Sequence, residues 1–326
     1  MSGFKKAKGE QAYLKLGIYG AAGSGKTFTS LLIGEGLAGV CNKKIAFVDT
    51  ERGSDFYCQE VKERKIHPKA FDFDCLYSKS ITEIAGEIKK IDTNKYGVVV
   101  IDSITHVWEA AKQSFEGRLT KIGTIPMQAW GKIKKPYKDL MNHLLSLDAH
   151  VIICGRQGTD FAEDEETGEL KNIGYKMKAE GETPYEPHIL LRLESVKGKN
   201  VDSYPIVHVE KDRTGILAGK AIEYPTFENI AKPLLCVLGS KQAKVEDIDE
   251  TASKDAEKLA EDELTKEAKS QELLEWFSAR FKIANTLEAV EEIGKEITKE
   301  IKAKMLVSDT AALREEYLRV VGKYKV

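Results

Sequence analysis

The feature that most constrains this sequence is a glycine-rich octapeptide, Gly20-Ala-Ala-Gly-Ser-Gly-Lys-Thr27, which fits the phosphate-loop pattern GxxxxGK[ST]. An apolar run with strand character, residues 14–19, precedes it, and a segment with helical periodicity, residues 28–37, follows. Because the pattern is specific only between a strand and a helix, this context favours a nucleotide-binding loop over a turn that binds nothing. The octapeptide therefore predicts an α/β domain.

The chemistry of such a loop assigns a role to its residues. Glycines let backbone N–H groups turn toward phosphate oxygens, and the N-terminus of the following helix adds partial positive charge. Lys26 is expected to neutralise the β- and γ-phosphates, and the Thr27 hydroxyl to bind Mg²⁺. We predict that ATP and Mg²⁺ are bound by the loop and the residue after it: Gly20, Ala21, Ala22, Gly23, Ser24, Gly25, Lys26, Thr27 and Phe28.

Three further apolar runs, residues 44–49, 97–102 and 149–154, are predicted strands. Apolar residues on both faces of such a run are typical of a parallel sheet covered by helices. Asp102 ends the second of these runs, at a position where a carboxylate can hold the magnesium shell through water. Apolar strands also end in aspartate for turn formation alone, but the phosphate loop favours the metal role.

Two polar residues at strand ends are candidates for catalysis. Glu51, in Asp49-Thr-Glu51, is expected beside the γ-phosphate, where it would orient or deprotonate the attacking water. The same tripeptide also fits a helix N-terminus, with Asp49 or Thr50 as the cap and Glu51 in the first turn. Gln157, after the run 149–154, is either a sensor of the γ-phosphate or an ordinary loop glutamine. The residues alone leave both alternatives open.

The chain changes character along its length. Runs at residues 188–194 and 205–210 predict antiparallel strands that extend a mainly parallel sheet, so residues 1–240 are expected to form one α/β unit. Residues 241–270 carry 6 lysines and 10 acidic residues and predict a charged linker, partly helical or disordered. Residues 271–326 predict a small helical module, in which a second helix begins at Ser308 or Asp309 as its cap.

Composition excludes some functions and leaves others open. With 50 Lys+Arg and 52 Asp+Glu, the formal net charge of −2 excludes a histone-like or ribosomal basic protein. DNA binding stays possible, because local patches rather than the total charge set that affinity. The 5 cysteines are scattered and fit neither a zinc site nor a redox pair, which indicates a reducing compartment. No run of 18 apolar residues occurs, so we expect no membrane span and a cytoplasmic location.

The ordered set of motifs resembles the core of the RecA superfamily. The phosphate loop is followed by Asp49-Thr-Glu51, Ile101-Asp-Ser103 and Lys211-Asp-Arg213. Together with Phe4-Lys-Lys-Ala7, this set is similar to that of phage-encoded RecA-like ATPases of the single-strand-annealing (Sak) group, over residues 4–235. The resemblance implies a RecA-like fold and, for a phage protein, the cytoplasm of the bacterial host.

The resemblance also implies a mechanism and partners. ATP would lie at the interfaces of a homo-oligomer, where Glu51 positions water, Gln157 senses the γ-phosphate, and Lys211 and Arg213 act on the ATP of a neighbouring subunit. From the residues alone, Lys211 and Arg213 would be interpreted as a solvated strand end. The implied function is action on single-stranded DNA in phage-type recombination, annealing or replication.

Two segments beyond predicted strands are candidates for DNA contact. Residues 106–136 combine basic side chains with Trp108 and Trp130, which suits a single strand, although both rings also fit a core and the lysines a solvated helix face. Residues 158–186 carry an acidic stretch that argues against DNA along the whole segment. The predicted contacts are Arg118, Lys121, Lys132, Lys134, Lys135, Lys176 and Lys178.

Other functions remain alternatives. A nucleotide-gated scaffold or helicase loader would use ATP for assembly and hydrolyse little of it. A nucleotide kinase would need an arginine-rich lid, and the arginines of this sequence are dispersed. For residues 271–326, three alternatives stay open: the module docks a single-strand-binding protein, docks a neighbouring subunit, or has no partner.

Overall fold

The computed structural model describes residue 6 and residues 12–119, 130–164, 168–197, 203–239 and 246–324, without the side chains of 115–119 and 246–264. The predicted motif residues Phe4 and Ala7 lie outside this part. The chain divides into two compact units, Met1–Glu246 and Asp247–Val326.

The first unit contains a sheet to which the described segments contribute nine strands, in the order β3-β2-β4-β5-β1-β7-β8-β9, with β6 paired to β5. The strands are β1 (Lys15–Gly20), β2 (Lys44–Asp49), β3 (Asp74–Tyr77), β4 (Tyr96–Asp102), β5 (His150–Glu163), β6 (Leu170–Lys178), β7 (Ile189–Val196), β8 (Tyr204–Asp212) and β9 (Ala221–Glu223). The helices are α1 (Lys26–Cys41), α2 (Ile81–Lys89), α3 (Ile104–Leu119) and α4 (Trp130–Ser146).

The strand pairings confirm the predicted fold class. Strand β1 pairs in parallel with β5 and β7, and β4 pairs in parallel with β2 and β5. The β5–β6, β7–β8 and β8–β9 pairs are antiparallel. The unit is therefore a mainly parallel α/β sheet extended by antiparallel strands.

Both faces of the central strands are buried, which explains their continuous apolar runs. On β4, Val98 and Val100 belong to a cluster that includes Leu31 and Leu37 of α1. Val99 and Ile101 belong to the opposite cluster, together with Leu140 of α4 and other residues of α2 and α3. Burying each such side chain contributes about 1.5–3 kcal/mol. A single apolar strand thus joins two core layers.

The structure corrects two sequence predictions in this unit. Strand β3 was not anticipated from the sequence, because its four half-exposed residues carry no strong periodicity. Strand β5 does not end at residue 154 but continues to Glu163 and forms a hairpin with β6. Gln157 therefore lies within a strand rather than in a loop. Beyond Gly155, this strand is exposed on both faces, so it lacks the apolar pattern that predicts strands.

The second unit is helical within the described residues. It comprises α5 (Glu246–Ile283), which begins at the boundary of the first unit, α6 (Leu287–Glu296), α7 (Lys299–Ala303) and α8 (Val307–Tyr324). Its core includes Phe277, Phe281, Val290, Ile293 and Leu313. Part of the predicted charged linker, residues 246–270, is helical, and the predicted boundary at residue 270 falls inside α5.

The caps of this unit also differ from the predicted ones. Helix α8 begins at Val307, so Ser308 and Asp309 lie within its first turn and are not its cap. The Asp309 carboxylate instead accepts a hydrogen bond from the Ser270 hydroxyl at 2.6 Å. Apolar residues recur at helical spacing from Leu287 to Ile301, as in one continuous helix. The structure divides this segment between α6 and α7, because the Thr298 side chain caps α7 by accepting a bond from the Ile301 N–H.

Within the described segments, none of the helices combines the length and the apolar character that crossing a bilayer requires.

The buried Lys15 side chain links β1 to the end of α4 and the residues that follow it, and its contribution to stability can be measured. The ammonium donates to the carbonyl oxygens of Leu144, Leu147 and Ala149 at 3.3, 2.8 and 2.8 Å. Lys15→Met keeps the apolar volume but removes the donors at the end of α4, so we expect a loss of about 2 kcal/mol or more in the free energy of unfolding. Denaturant titration measures it.

The control is Lys44→Met, which changes a half-exposed lysine whose ion pair with Asp74 spans 3.7 Å. We expect this control to change the free energy of unfolding by less than about 0.5 kcal/mol. Equal unfolding midpoints for the two variants would contradict the role of Lys15.

Candidate functional site

The phosphate loop lies between the end of β1 at Gly20 and the start of α1 at Lys26. Gly23 and Gly25 have φ angles of 74° and 94°, in the left-handed region that favours glycine. At Gly20, a Cβ atom would lie 2.2 Å from the Leu193 carbonyl oxygen, so only glycine fits there. The Ser24 hydroxyl is buried and has no hydrogen-bond partner among the described residues, which suits a loop built to receive a further acceptor or donor.

The Thr27 hydroxyl and the Asp102 carboxylate meet beside this loop. Thr27 Oγ1 donates to Asp102 Oδ2 at 2.5 Å. Burial raises the pKa of Asp102, while the hydrogen bond from Thr27 and the charge of Lys26 oppose this rise. A hydroxyl and a carboxylate side by side are oxygen ligands of the kind that Mg²⁺ prefers. The structure therefore brings the two predicted metal residues together, and their donor set fits magnesium.

A cavity of about 540 Å³ surrounds these residues, a size typical of small-ligand sites. It is lined by Gly20, Ala21, Ala22, Gly23, Lys26, Thr27, Asp49, Glu51, Gly53, Ser54, Asp102, Arg156, Gln157 and Lys178. The Lys26 ammonium bonds the carbonyl oxygens of Gly20 and Ala21, at 3.1 and 2.9 Å. The side chain of the predicted contact Phe28 instead packs against Tyr57 and Phe71, so only the backbone of Phe28 is available for phosphate.

A buried carboxylate shapes the segment that carries Glu51. Asp49 accepts hydrogen bonds from the backbone N–H groups of Glu51, Arg52 and Ser54, at 2.8, 2.7 and 2.9 Å. Burial by itself raises the pKa of Asp49, but the bonds from the Ser54 side chain and from the backbone outweigh it and lower that pKa. Asp49 thus holds a turn rather than the N-terminus of an α-helix, and Glu51 lies in the cavity.

Two residues that sequence reasoning did not select contact the Glu51 carboxylate. The Arg156 guanidinium donates to Oε2 at 2.9 Å, and Nδ1 of His106 lies 3.2 Å from Oε1. Nδ1 of His106 also lies 2.8 Å from the Thr50 hydroxyl. Burial lowers the pKa of His106, Glu51 raises it, and Arg156 lowers it further. In the sequence, Arg156 could have been selected from its position next to Gln157, after an apolar run that predicts a strand.

Gln157 and Lys178 line the same cavity, at the base of the β5–β6 hairpin. Lys178, predicted as a DNA contact, forms an ion pair with Glu109 of α3 at 2.8 Å. The hairpin thus begins at the wall of the cavity and extends away from it.

The predicted basic pair lies at the other edge of the sheet. Strand β8 is antiparallel to β7, and its last residue, Asp212, pairs with Ile189 at the amino end of β7. Lys211 donates to the carbonyl oxygens of Tyr185 and Pro187, and Arg213 also donates to that of Tyr185. Burial and the charge of Arg213 lower the pKa of Lys211 to about 8. Neither residue lines the cavity of its own chain, so an action on ATP would have to occur in a neighbouring subunit.

The predicted DNA contacts are only partly described. Lys121 and the side chain of Arg118 lie outside the described residues, and Lys132 and Lys135 are exposed on α4. Lys134 forms an ion pair with Glu180 at 2.8 Å, and Lys176 one with Asp160 at 2.7 Å. Their positive charges are therefore partly neutralised.

The two tryptophans considered for DNA contact belong to the core, whereas two other aromatic rings, on the β5–β6 hairpin, are exposed. Trp108 is buried in the core, and Trp130 packs against the same cluster, as the core alternative predicts. On the hairpin, Tyr175 pairs with Thr159, and Phe161 follows two residues later, so both rings lie on one face. They are 51% and 54% exposed. This exposed aromatic face was not anticipated from the sequence.

Comparison with known proteins found a matching family model and a similar solved structure. A family model described as an AAA domain (AAA_24) matches residues 12–213. Among solved structures, a KaiC-like protein from the hyperthermophilic archaeon Pyrococcus horikoshii matches with 16% identity and a TM-score of 0.40, over 65% of this chain and 85% of its own. None of the curated proteins compared with the sequence matches it.

The matched segment spans more than half of the chain and contains the phosphate loop, Glu51, Asp102 and Arg156. The chain therefore belongs to the AAA_24 family of AAA domains, and its first unit is a P-loop ATPase domain.

Proposed function

We propose that this protein hydrolyses ATP and couples hydrolysis to binding of single-stranded DNA in recombination, annealing or replication. The resemblance to phage-encoded RecA-like ATPases of the single-strand-annealing group supports this proposal. The observation that carries the ATPase part is the convergence of Lys26, Thr27, Asp102 and Glu51 on one cavity of about 540 Å³. These are the groups needed to bind a triphosphate and to activate water against it.

The roles of the residues follow from their chemistry. The backbone N–H groups of the loop and the Lys26 ammonium bind phosphate oxygens, so the ammonium exchanges its bonds to Gly20 and Ala21 for bonds to substrate. Thr27 and Asp102 would hold Mg²⁺, which neutralises negative charge on the phosphates when it is bound. The Glu51 carboxylate orients the attacking water and accepts its proton. Gln157, on the wall of the cavity, is placed to contact the terminal phosphate.

Two substitutions separate binding from chemistry. We expect Lys26→Ala to weaken ATP binding, because it removes the cation of the phosphate loop. We expect Glu51→Gln to retain ATP binding and to lower kcat by about 10²–10⁴-fold, the usual contribution of a general base. Phosphate release and equilibrium binding of a fluorescent ATP analogue measure the two effects. Glu87→Gln is the matched control: it changes an exposed carboxylate of α2, and this variant should hydrolyse ATP at the wild-type rate.

Assembly is the second part of the proposal. Lys211 and Arg213 lie at the edge of the sheet opposite the phosphate loop of their own chain, which supports an action on the ATP of a neighbour. Because the pKa of Lys211 is lowered to about 8, an appreciable fraction of Lys211 is uncharged near that pH. A guanidinium also offers a fork of donors that an ammonium lacks. Arg213 is therefore the better candidate for stabilising charge on the transferred phosphoryl group.

Mixing two inactive variants tests this arrangement. We expect Lys26→Ala and Arg213→Ala each to lose turnover alone. In a mixed oligomer, an intact phosphate loop can meet an intact arginine, so a 1:1 mixture should recover about a quarter of wild-type turnover. Steady-state phosphate release after mixing is the measurement. If the mixture stays as inactive as its components, Arg213 does not act between subunits.

DNA binding is supported by the aromatic face of the hairpin. Phe161 and Tyr175 present exposed rings on which bases can stack, and stacking contributes about 1–3 kcal/mol for each base. The predicted lysines Lys176 and Lys178 lie on the opposite face, paired with Gly158 and Arg156 in the hairpin register. We therefore assign affinity mainly to the rings and regard the lysines as secondary contacts.

The double variant Phe161→Ala/Tyr175→Ala tests this assignment. We expect its affinity for a labelled oligothymidylate to fall by about tenfold or more, since it removes two stacking platforms. Fluorescence anisotropy at low and moderate salt measures the affinity. The control is Phe56→Ala, which removes a ring that is 77% exposed but lies outside the hairpin. Unchanged affinity in the double variant together with wild-type ATPase activity would refute the hairpin as the DNA contact.

A nucleotide-gated scaffold is the second candidate function. The ion pair between Glu51 and Arg156 favours it, because a carboxylate oxygen held by a guanidinium is not free to contact an attacking water. The two candidates differ in turnover: a scaffold assembles with ATP but releases little phosphate even with DNA. Sizing with and without ATP, beside the phosphate assay, separates them.

The proposed docking role of the C-terminal unit has one structural support. A groove of about 580 Å³ lies among α6, α7 and α8. Its lining includes the apolar residues Ile297, Leu313 and Leu318, and the basic residues Lys302 and Arg314. A peptide that carries both apolar and acidic side chains, such as a segment of a single-strand-binding protein, would complement this lining.

A further inference from the structure

The contact between Arg156 and Glu51 joins two groups that the proposed reaction requires for different tasks. The guanidinium donates to Glu51 Oε2 at 2.9 Å, and both side chains line the cavity that contains Lys26 and Thr27. While this bond exists, one carboxylate oxygen is engaged by a permanent cation. That oxygen is therefore not free to hydrogen-bond to an attacking water.

Arg156 is anchored at the phosphate end of the sheet by its backbone. In the parallel pairing of β1 and β5 it lies opposite Gly20, the first residue of the phosphate loop. Its N–H donates to the Thr105 hydroxyl at 2.9 Å, which ties this point of β5 to the start of α3. The side chain can therefore reorient within the cavity while its base stays fixed beside the phosphate-binding backbone.

The pair is open to exchange. The Arg156 and Glu51 side chains are 48% and 45% exposed, and half-exposed ion pairs contribute little to stability. A terminal phosphate carries more negative charge than a carboxylate and offers several acceptor oxygens to a guanidinium fork. Between these two acceptors in one cavity, the phosphate is the stronger partner for Arg156.

We propose that Arg156 is a positioning residue that restrains Glu51 until the terminal phosphate of the substrate takes over its guanidinium. This inference rests on the proposed ATPase function and adds an order of events to it. Of the two side-chain contacts of the Glu51 carboxylate within the described residues, the one to His106 then remains, with Nδ1 3.2 Å from Oε1. The released oxygen is free to accept a proton from the attacking water.

His106 remains beside the carboxylate after this exchange. Its imidazole lies between the Glu51 carboxylate and the hydroxyl groups of Thr50 and Ser103, at 2.8 and 3.4 Å from the latter two. The charged groups that act on it are Glu51, Arg156, Lys79 and Glu109. Because the ring is largely buried and Nδ1 also contacts the Thr50 hydroxyl, the imidazole stays beside Glu51 when the guanidinium leaves.

Binding measurements test the exchange without requiring turnover. We expect Arg156→Gln to weaken binding of a non-hydrolysable ATP analogue by about tenfold and to leave ADP affinity unchanged, because ADP lacks the terminal phosphate. Arg156→Lys, which keeps the charge but not the fork, should recover part of the difference. Lys95→Gln is the matched control: it breaks a half-exposed ion pair of 3.0 Å with Asp74, outside the cavity.

A double-mutant cycle tests the competition itself. If Glu51 and the phosphate compete for Arg156, Glu51→Gln should tighten binding of the ATP analogue several-fold more in the wild-type background than in the Arg156→Gln background. In steady-state kinetics, Arg156→Gln should raise KM for ATP. Its kcat, measured at saturating ATP, should change by less than about threefold, far less than that of Glu51→Gln.

Three results would overturn the inference. They are an unchanged ratio of ATP-analogue to ADP affinity in Arg156→Gln, an equal effect of Glu51→Gln in both backgrounds, or a kcat of Arg156→Gln as low as that of Glu51→Gln. Failure of the ATPase proposal looks different. In that case the wild type releases no phosphate, while the binding cycle still shows whether Arg156 exchanges partners.

Discussion

The chemistry of this protein depends on parallel strand pairing in register. Asp49 pairs with Asp102, Asp102 with Cys154, and Gly20 with Arg156. Strands β1, β2 and β4 therefore end at one edge of the sheet, where β5 continues into the hairpin. Because the side chains there are separated by one strand spacing each, groups distant in sequence reach a common cavity. Residues that leave the same strands at the amino edge, such as Lys15, serve stability instead.

Residues that directly follow an apolar strand can be predicted from the sequence. The phosphate loop and Asp102 are predictable, because each adjoins an apolar run that determines both the element and its direction. The pattern also identifies Glu51, but it leaves open whether Asp49 caps an α-helix or holds a turn. That choice depends on where three backbone N–H groups point, which no local pattern encodes.

The residues that escaped prediction share a different physical property. Arg156, Phe161 and Tyr175 lie where β5 and β6 leave the packed sheet. Beyond Gly155 no residue of β5 is buried, and of β6 Met177 alone is buried. A strand without a buried face has no alternation of apolar and polar residues, so the hairpin gives no periodic signal. His106 is hidden for another reason: it lies in the first turn of α3, and only the pairing of β2 with β4 brings it near Glu51.

The charges of the cavity determine how it can bind a nucleotide. Its described lining carries three carboxylates, Asp49, Glu51 and Asp102, and three cations, Lys26, Arg156 and Lys178. Asp49 is already satisfied by backbone N–H groups, and Lys178 is paired with Glu109 outside this set. Lys26 and Arg156 therefore remain as the cations available to a triphosphate, and Arg156 is shared with Glu51. Two cations do not balance the charge of a triphosphate, so the proposed function calls for a divalent ion at Thr27 and Asp102. If Arg156 binds the phosphates as proposed, the environment of the Glu51 carboxylate changes at the same step.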